Sequence, residues 1–112
     1  MTEFDWHVAL KAAKAAPIPA GARSALVMSH GSMTVRHYAP ATVDTQTPHD
    51  QDEVYVVIAG KGWFVRGHER TCFGPGDALF APAGVVHRFE NFSDDFATWV
   101  IFYGPEGGET LG

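Results

Sequence analysis

From Gly21 onward, glycine and proline break the chain at short intervals. The breaks fall at His30-Gly31, Pro40, Gly60-Lys61-Gly62, Gly67-His68, Gly74-Pro75-Gly76 and Pro82-Ala83-Gly84, with a further polar break at Ser93-Asp94-Asp95. The runs between them are mostly short and are rich in β-branched and aromatic residues. They predict strands at Ser24–His30, Ser32–Tyr38, Glu53–Ala59, Gly62–Gly67, Glu69–Phe73, Asp77–Ala81, Val86–Asn91 and Ala97–Tyr103. Many short strands with turn residues between them imply an all-β, antiparallel sandwich or barrel.

The segment ahead of Gly21 has a different texture. Phe4, Val8, Ala12 and Ala15 recur at helical spacing in an alanine-rich stretch, and Thr2 with Asp5 fits a capping box. A helix is predicted over residues 3–16, ended by Pro17 and Pro19, which remove an N–H and crowd the preceding turn. The chain thus divides into an N-terminal helix and linker (1–20), a barrel (21–104) and a glycine-rich C-terminal tail (105–112) expected to be loosely held.

The totals exclude several classes of function. A chain of 112 residues has room for one core. The formal net charge is −5 and the lysines and arginines do not cluster, which argues against nucleic acid, whose phosphates demand a basic patch. Every apolar run is interrupted before membrane-spanning length, and Glu3 and Asp5 stand where a signal peptide would be basic. The expectation is a soluble, cytoplasmic protein with no membrane partner. Cys72 is the single cysteine, so no intrachain disulfide forms; it is expected as a reduced, buried thiol in a strand. No nucleophile elbow, P-loop or dinucleotide fingerprint is present.

Chemistry concentrates in two stretches. In TPHDQDEVYVV, Thr47, His49, Gln51 and Glu53 share one face if the segment is extended, and Tyr55 and Val57 continue it. A histidine and a carboxylate on one inward face suit a borderline or hard divalent ion. Asp50 and Asp52 alternate outward and read as solvated loop residues. In GDALFAPAGVVHRFEN, the turn at Pro82 and Gly84 places His87 at the head of a strand that can return towards His49 and Glu53.

Here the sequence resembles the cupin superfamily, in its small single-domain form. The second cupin motif is G-x5-P-x-G-x2-H-x3-N, and Gly76, Pro82, Gly84, His87 and Asn91 match every position. In the first motif, G-x5-H-x-H-x3-4-E-x6-G, His49, Glu53 and Gly60 match, whereas Thr47 stands for the first histidine and Ala41 for the leading glycine. The resemblance spans roughly residues 24–103 and implies a jelly-roll barrel with a metal at its mouth, held by His49, Glu53 and His87. Gln51 is a substitute ligand or supporting donor, and Thr47 a holder of water. The cofactor implied is a divalent ion (Fe, Mn, Ni or Zn), and the function is dioxygenase or isomerase chemistry on a small organic substrate. The alternatives are a non-catalytic binding or sensing module, favoured by the lost histidine, and a structural dimer with an empty barrel. The family also implies a homodimer, with the N-terminal helix packed on the domain or on a neighbour.

Beyond the motifs, His30 and His37 lie on early strands where either can replace the missing ligand. Arg36 and Arg88 can bind a carboxylate or sit on the surface. Tyr55, Trp63, Phe80, Phe89, Trp99 and Phe102 are expected in the core or lining the pocket.

Overall fold

The computed structural model describes residues 6–44 and 48–110. Its elements are α1 (Leu10–Ala15), β1 (Ala25–His30), β2 (Met33–Tyr38), β3 (Asp52–Ala59), β4 (Gly62–Arg66), β5 (Glu69–Phe73), β6 (Ala78–Ala81), β7 (His87–Glu90) and β8 (Ala97–Tyr103). Each strand lies within a residue of its sequence prediction. The strands form two antiparallel sheets, one of five strands in the order β1-β2-β8-β3-β6 and one of three in the order β5-β4-β7. Stacked face to face, they make a jelly-roll barrel.

Register decides which side chains enter the barrel. Opposite residues of an antiparallel pair share a face, so Glu53↔Ala81 and Tyr55↔Leu79 (β3–β6) place one inner row. Thr34↔Phe102 and Arg36↔Val100 (β2–β8) place another. The core is a set of aromatics: Phe89 packs its ring 4.8 Å from Tyr55, 5.2 Å from Phe64 and 4.7 Å from Phe96. Asp44 ties the two sheets together, accepting from the Tyr38 hydroxyl at 2.5 Å and from the Phe89 amide at 2.7 Å.

Turn chemistry follows the glycines. Gly60 adopts φ +86°, and a Cβ there would meet the Phe96 Cα at 2.5 Å, so both the backbone angle and the close approach of the 93–96 loop require glycine. Asn91 takes φ 51°, the left-handed conformation that asparagine tolerates best among residues with a side chain.

Several expectations change. The helix covers only Leu10–Ala15; Trp6 to Ala9 are non-helical, and the capping-box residues Thr2 and Asp5, with Phe4, lie outside the described residues. Trp6, His7 and Val8 are weak helix formers beside the alanines that follow, and Ala9 caps the helix with no side-chain hydrogen bond. Ala13, rather than Ala12 or Ala15, is the buried residue, packing with Ala25 and Val27 on the outer side of the five-stranded sheet. Cys72 is exposed, because it alternates to the outer face of β5. Trp63 and Phe80 also lie outside the core, whereas Trp99 packs against the smaller cluster beneath α1. Trp63 stacks under Arg70 at 4.0 Å, Trp99 sits edge-on to His37, and Phe80 is 41% exposed. The tail expected to be loose is hydrogen-bonded through Glu109, whose amide donates to Asp52 Oδ2 at 2.9 Å. Gly107 also donates to the Asp50 carbonyl at 2.6 Å.

Candidate metal centre

At one end of the core the packing turns polar. Glu53 projects inward from β3 of the five-stranded sheet, and His87 from β7 of the three-stranded sheet. The loop entering β3 brings His49 over both, held by a hydrogen bond from the Gly84 amide to the His49 carbonyl at 2.8 Å. His87 Nε2 stands 2.6 Å from Glu53 Oε1, and His49 Nε2 stands 3.9 Å from the same oxygen. One donor atom from each of the three residues falls within 4.8 Å of the others. The geometry therefore brings together the three residues singled out from sequence, although they come from two sheets and a loop.

Whether this trio suits a metal can be judged from its unmet demands. Glu53 is 1% exposed, and among the described residues neither carboxylate oxygen has a hydrogen-bond partner; even the close approach of His87 lacks hydrogen-bond angles. A buried carboxylate without donors is expensive, and a cation is the natural complement. His87 Nδ1 lies 2.8 Å from the Val85 carbonyl, which can only accept. One proton is thus assigned to Nδ1, so that the neutral ring presents its Nε2 lone pair to the site, the usual arrangement in which a backbone carbonyl fixes a ligating imidazole, whereas the protonated ring pairs through Nε2 with Glu53. The Tyr55 hydroxyl lies 3.0 Å from Nε2 on the other side.

Electrostatics separate the two imidazoles. Burial lowers the His49 pKa, and His87 and Arg23 add to this against the opposing pull of Glu53, so His49 is neutral at neutral pH and able to donate a lone pair. For His87 burial also pulls downward, but the Glu53 carboxylate, the Val85 carbonyl and the Asp44 charge outweigh it and raise the pKa. Two imidazoles and a carboxylate are a donor set for borderline divalent ions such as Fe(II), Mn(II), Ni(II) and Zn(II). The residues present fit the ion.

The other sequence candidates fall elsewhere. Thr47 lies outside the described residues. The Gln51 amide nitrogen donates to the Ser32 and Gly104 carbonyls, both at 2.9 Å, which commits it to bracing the β1–β2 turn against the end of β8. His30 is exposed at the end of β1, and His37 is on the outer face of β2 beneath α1, so neither reaches the trio. Asp52 is not the solvated residue that alternation predicted. It is 6% exposed and its Oδ1 accepts from the Ala83 amide at 2.9 Å, while Oδ2 takes Glu109. Its carboxylate clamps the turn that leads into His87. Strand periodicity cannot reveal this, because both donors are backbone amides far away in sequence.

A cleft of about 580 Å³ opens beside His49. Its walls include Thr34, Arg36, Val100 and Phe102 from the inner face of the sheet, with Arg23 at the rim. Phe102 packs edge-on to His49 with ring centres 4.9 Å apart. The Tyr38 hydroxyl also faces this region but is held by Asp44; burial first, then that carboxylate, raises its pKa, so it stays protonated.

A double-sheet barrel with an inward His–Glu–His trio at its mouth defines a class of small jelly-roll proteins. The chain belongs to the cupin family: the Cupin domain model matches residues 34–103. An uncharacterised protein of Streptomyces coelicolor is 42% identical over 77 residues, covering 67% of this chain and 73% of that one. The dimethylsulfoniopropionate lyase DddQ of Ruegeria pomeroyi is 33% identical over 57 residues, which cover 50% of this chain but only 28% of the lyase. Among solved structures, the Bacillus halodurans protein BH2720 superposes with a TM-score of 0.72 at 17% identity, over 90% of this chain and 83% of its own. That likeness speaks for the fold alone.

Proposed function

We propose that this protein is a metal-dependent enzyme of dioxygenase or isomerase type, holding a divalent ion on His49, Glu53 and His87 and acting on a small organic substrate. The observation that carries the reading is the buried Glu53 carboxylate, with no hydrogen bond to either oxygen among the described residues and two imidazole nitrogens beside it. When bound, such an ion supplies a Lewis acid or, as iron, a centre for oxygen chemistry. The protein's own contribution is positional. Val85 orients His87, Asp52 holds the turn ahead of it, and Phe102 packs against His49 where the cleft opens. The lyase relative supports an enzymatic role for this kind of chain, without naming the substrate here. The single exposed thiol of Cys72 is compatible with the reducing cytoplasm.

Elemental analysis of the purified full chain tests this reading. About one iron, manganese, nickel or zinc per chain in wild type, lost in His87→Ala, is the expected result. Absence of metal from both proteins after reconstitution would replace the reading with that of a non-catalytic binding or sensing module. That second reading is favoured by a specific feature: the trio offers three ligands, and the family's first histidine position carries Thr47.

We also propose a homodimer. The outer face of the five-stranded sheet carries Val54, Val56 and Ile101 with the exposed Phe80, while the described cluster beneath α1 is confined to the β1, β2 and β8 side. A second copy would cover this apolar surface. A single monomeric species in sedimentation velocity at micromolar concentration would overturn it.

A further inference from the structure

The arginines of this chain do not all have the same standing. Arg66 pairs with Glu69 at 2.6 Å, Arg88 with Glu90 at 2.7 Å, and Arg70 with Glu90 at 3.5 Å. Arg36 is the exception: half-buried on the inner face of β2, it makes no ion pair or hydrogen bond among the described residues, in a chain with an excess of acids. It stands in the wall of the cleft that His49 also lines, opposite Val100 in register and one residue pair along from Phe102. Its guanidinium opens onto the water of the cleft rather than onto a protein anion, so its donors, set in a fixed planar fork, are available to a ligand, and that fork matches a carboxylate.

The surroundings narrow the ligand further. Arg23 adds a second positive charge to the cleft, close enough to act on His49 and Tyr38. Among the described lining residues Asp50 is the acid, and it is exposed, while the buried Asp44 behind Tyr38 acts on the same two groups with the opposite sign. Val100 and Phe102 give the same wall an apolar portion. No lysine belongs to the lining. A flat anion with an apolar body fits better than a phosphate, which would draw on more donors.

We infer that the cleft beside His49 is a binding site for a small organic carboxylate, with Arg36 gripping the carboxylate and Val100 and Phe102 packing on the carbon skeleton. This deepens the proposed function and rests on it only for the neighbouring ion; the Arg36 subsite belongs to the chain itself.

Titration of the full-length protein with benzoate, benzamide and phenyl phosphate, by calorimetry or ligand-observed NMR, separates the possibilities. It is run on metal-stripped and on zinc-supplemented protein, with zinc content measured in each. Benzoate is expected to bind at least tenfold tighter than benzamide and tighter than phenyl phosphate in both states. Arg36→Gln should weaken benzoate at least tenfold, Arg36→Lys should recover only part of the loss, and Arg88→Gln, on the outer sheet face, should leave binding unchanged. Circular dichroism checks that each variant folds. Unchanged benzoate affinity in Arg36→Gln, equal binding of benzamide, preference for phenyl phosphate, or no benzoate binding at millimolar concentration would each overturn the inference. Benzoate binding that appears only with zinc and ignores Arg36 would overturn it while leaving the metal reading intact. If zinc fails to bind, the metal-stripped arm still tests Arg36.

Discussion

Glu53 is held in a state that favours something other than stability. Its carboxylate is 1% exposed and has no hydrogen-bond partner among the described residues, although an apolar side chain of similar volume would fit a site bordered by Tyr55 and Ala81. Replacing a buried, unsatisfied polar group by an apolar one of the same shape is usually neutral or stabilising. At alkaline pH, where His87 is neutral, Glu53→Met is therefore expected to raise the stability of the metal-free protein by roughly 1–3 kcal/mol, a gain that shrinks towards acid as protonated His87 loses its partner, while abolishing the response to added metal. Chemical denaturation of both metal-stripped proteins measures the first effect, and a destabilised Glu53→Met protein would show that the carboxylate is satisfied structurally. At this scale the sequence was legible where a residue's role is local. The inward face of His49, Glu53 and Tyr55 follows from alternation. Asp52 was misread because its partners, Ala83 and Glu109, are distant amides, and Gln51 because the carbonyls it braces belong to other strands.

The strands were legible as elements because their boundaries are chemical. Gly60 cannot carry a side chain against Phe96, and Asn91 turns the chain where β7 ends. The helix was legible only in part. A six-residue helix is too short to stand alone, so its extent is set by the sheet it covers rather than by its own periodicity. Beneath it, the second ring nitrogen of His37 is buried without a partner among the described residues. Burial lowers the His37 pKa, and the Lys14 charge on α1 lowers it further. In the unfolded chain the imidazole titrates near 6.5, so below that pH the unfolded state binds the proton more readily and acid shifts the balance towards unfolding. The contribution is fully present above about pH 6.5 and is lost as the pH falls towards the lowered folded value. His37→Phe, which keeps a ring against Trp99, should flatten this decline. Urea midpoints of both proteins between pH 5 and 7.5 provide the comparison, and parallel curves would show that the acid sensitivity arises elsewhere.

Across the whole molecule, the trio does what the hydrogen bonds of either sheet cannot do alone. Glu53 belongs to the five-stranded sheet and His87 to the three-stranded one, and His49 arrives on the loop that the Gly84 turn holds. No periodicity relates residues in different sheets, so this juxtaposition was legible only through the spacing of Gly76, Pro82, Gly84, His87 and Asn91, which fixes two turns and a strand as one unit. An ion held by all three would crosslink the barrel at its polar end, and any ligand that binds the folded chain alone stabilises it by mass action. At about 100 times the dissociation constant the gain is about 2.7 kcal/mol, which for a domain of this size is a rise in melting temperature on the order of 10 °C. Zinc added to the stripped protein should therefore raise the melting temperature in a concentration-dependent way. The rise should vanish in His87→Ala and in Glu53→Met and persist in Arg36→Gln, whose side chain lies in the carboxylate cleft outside the trio. A shift of equal size in Glu53→Met would place the stabilising ion somewhere other than between the two sheets.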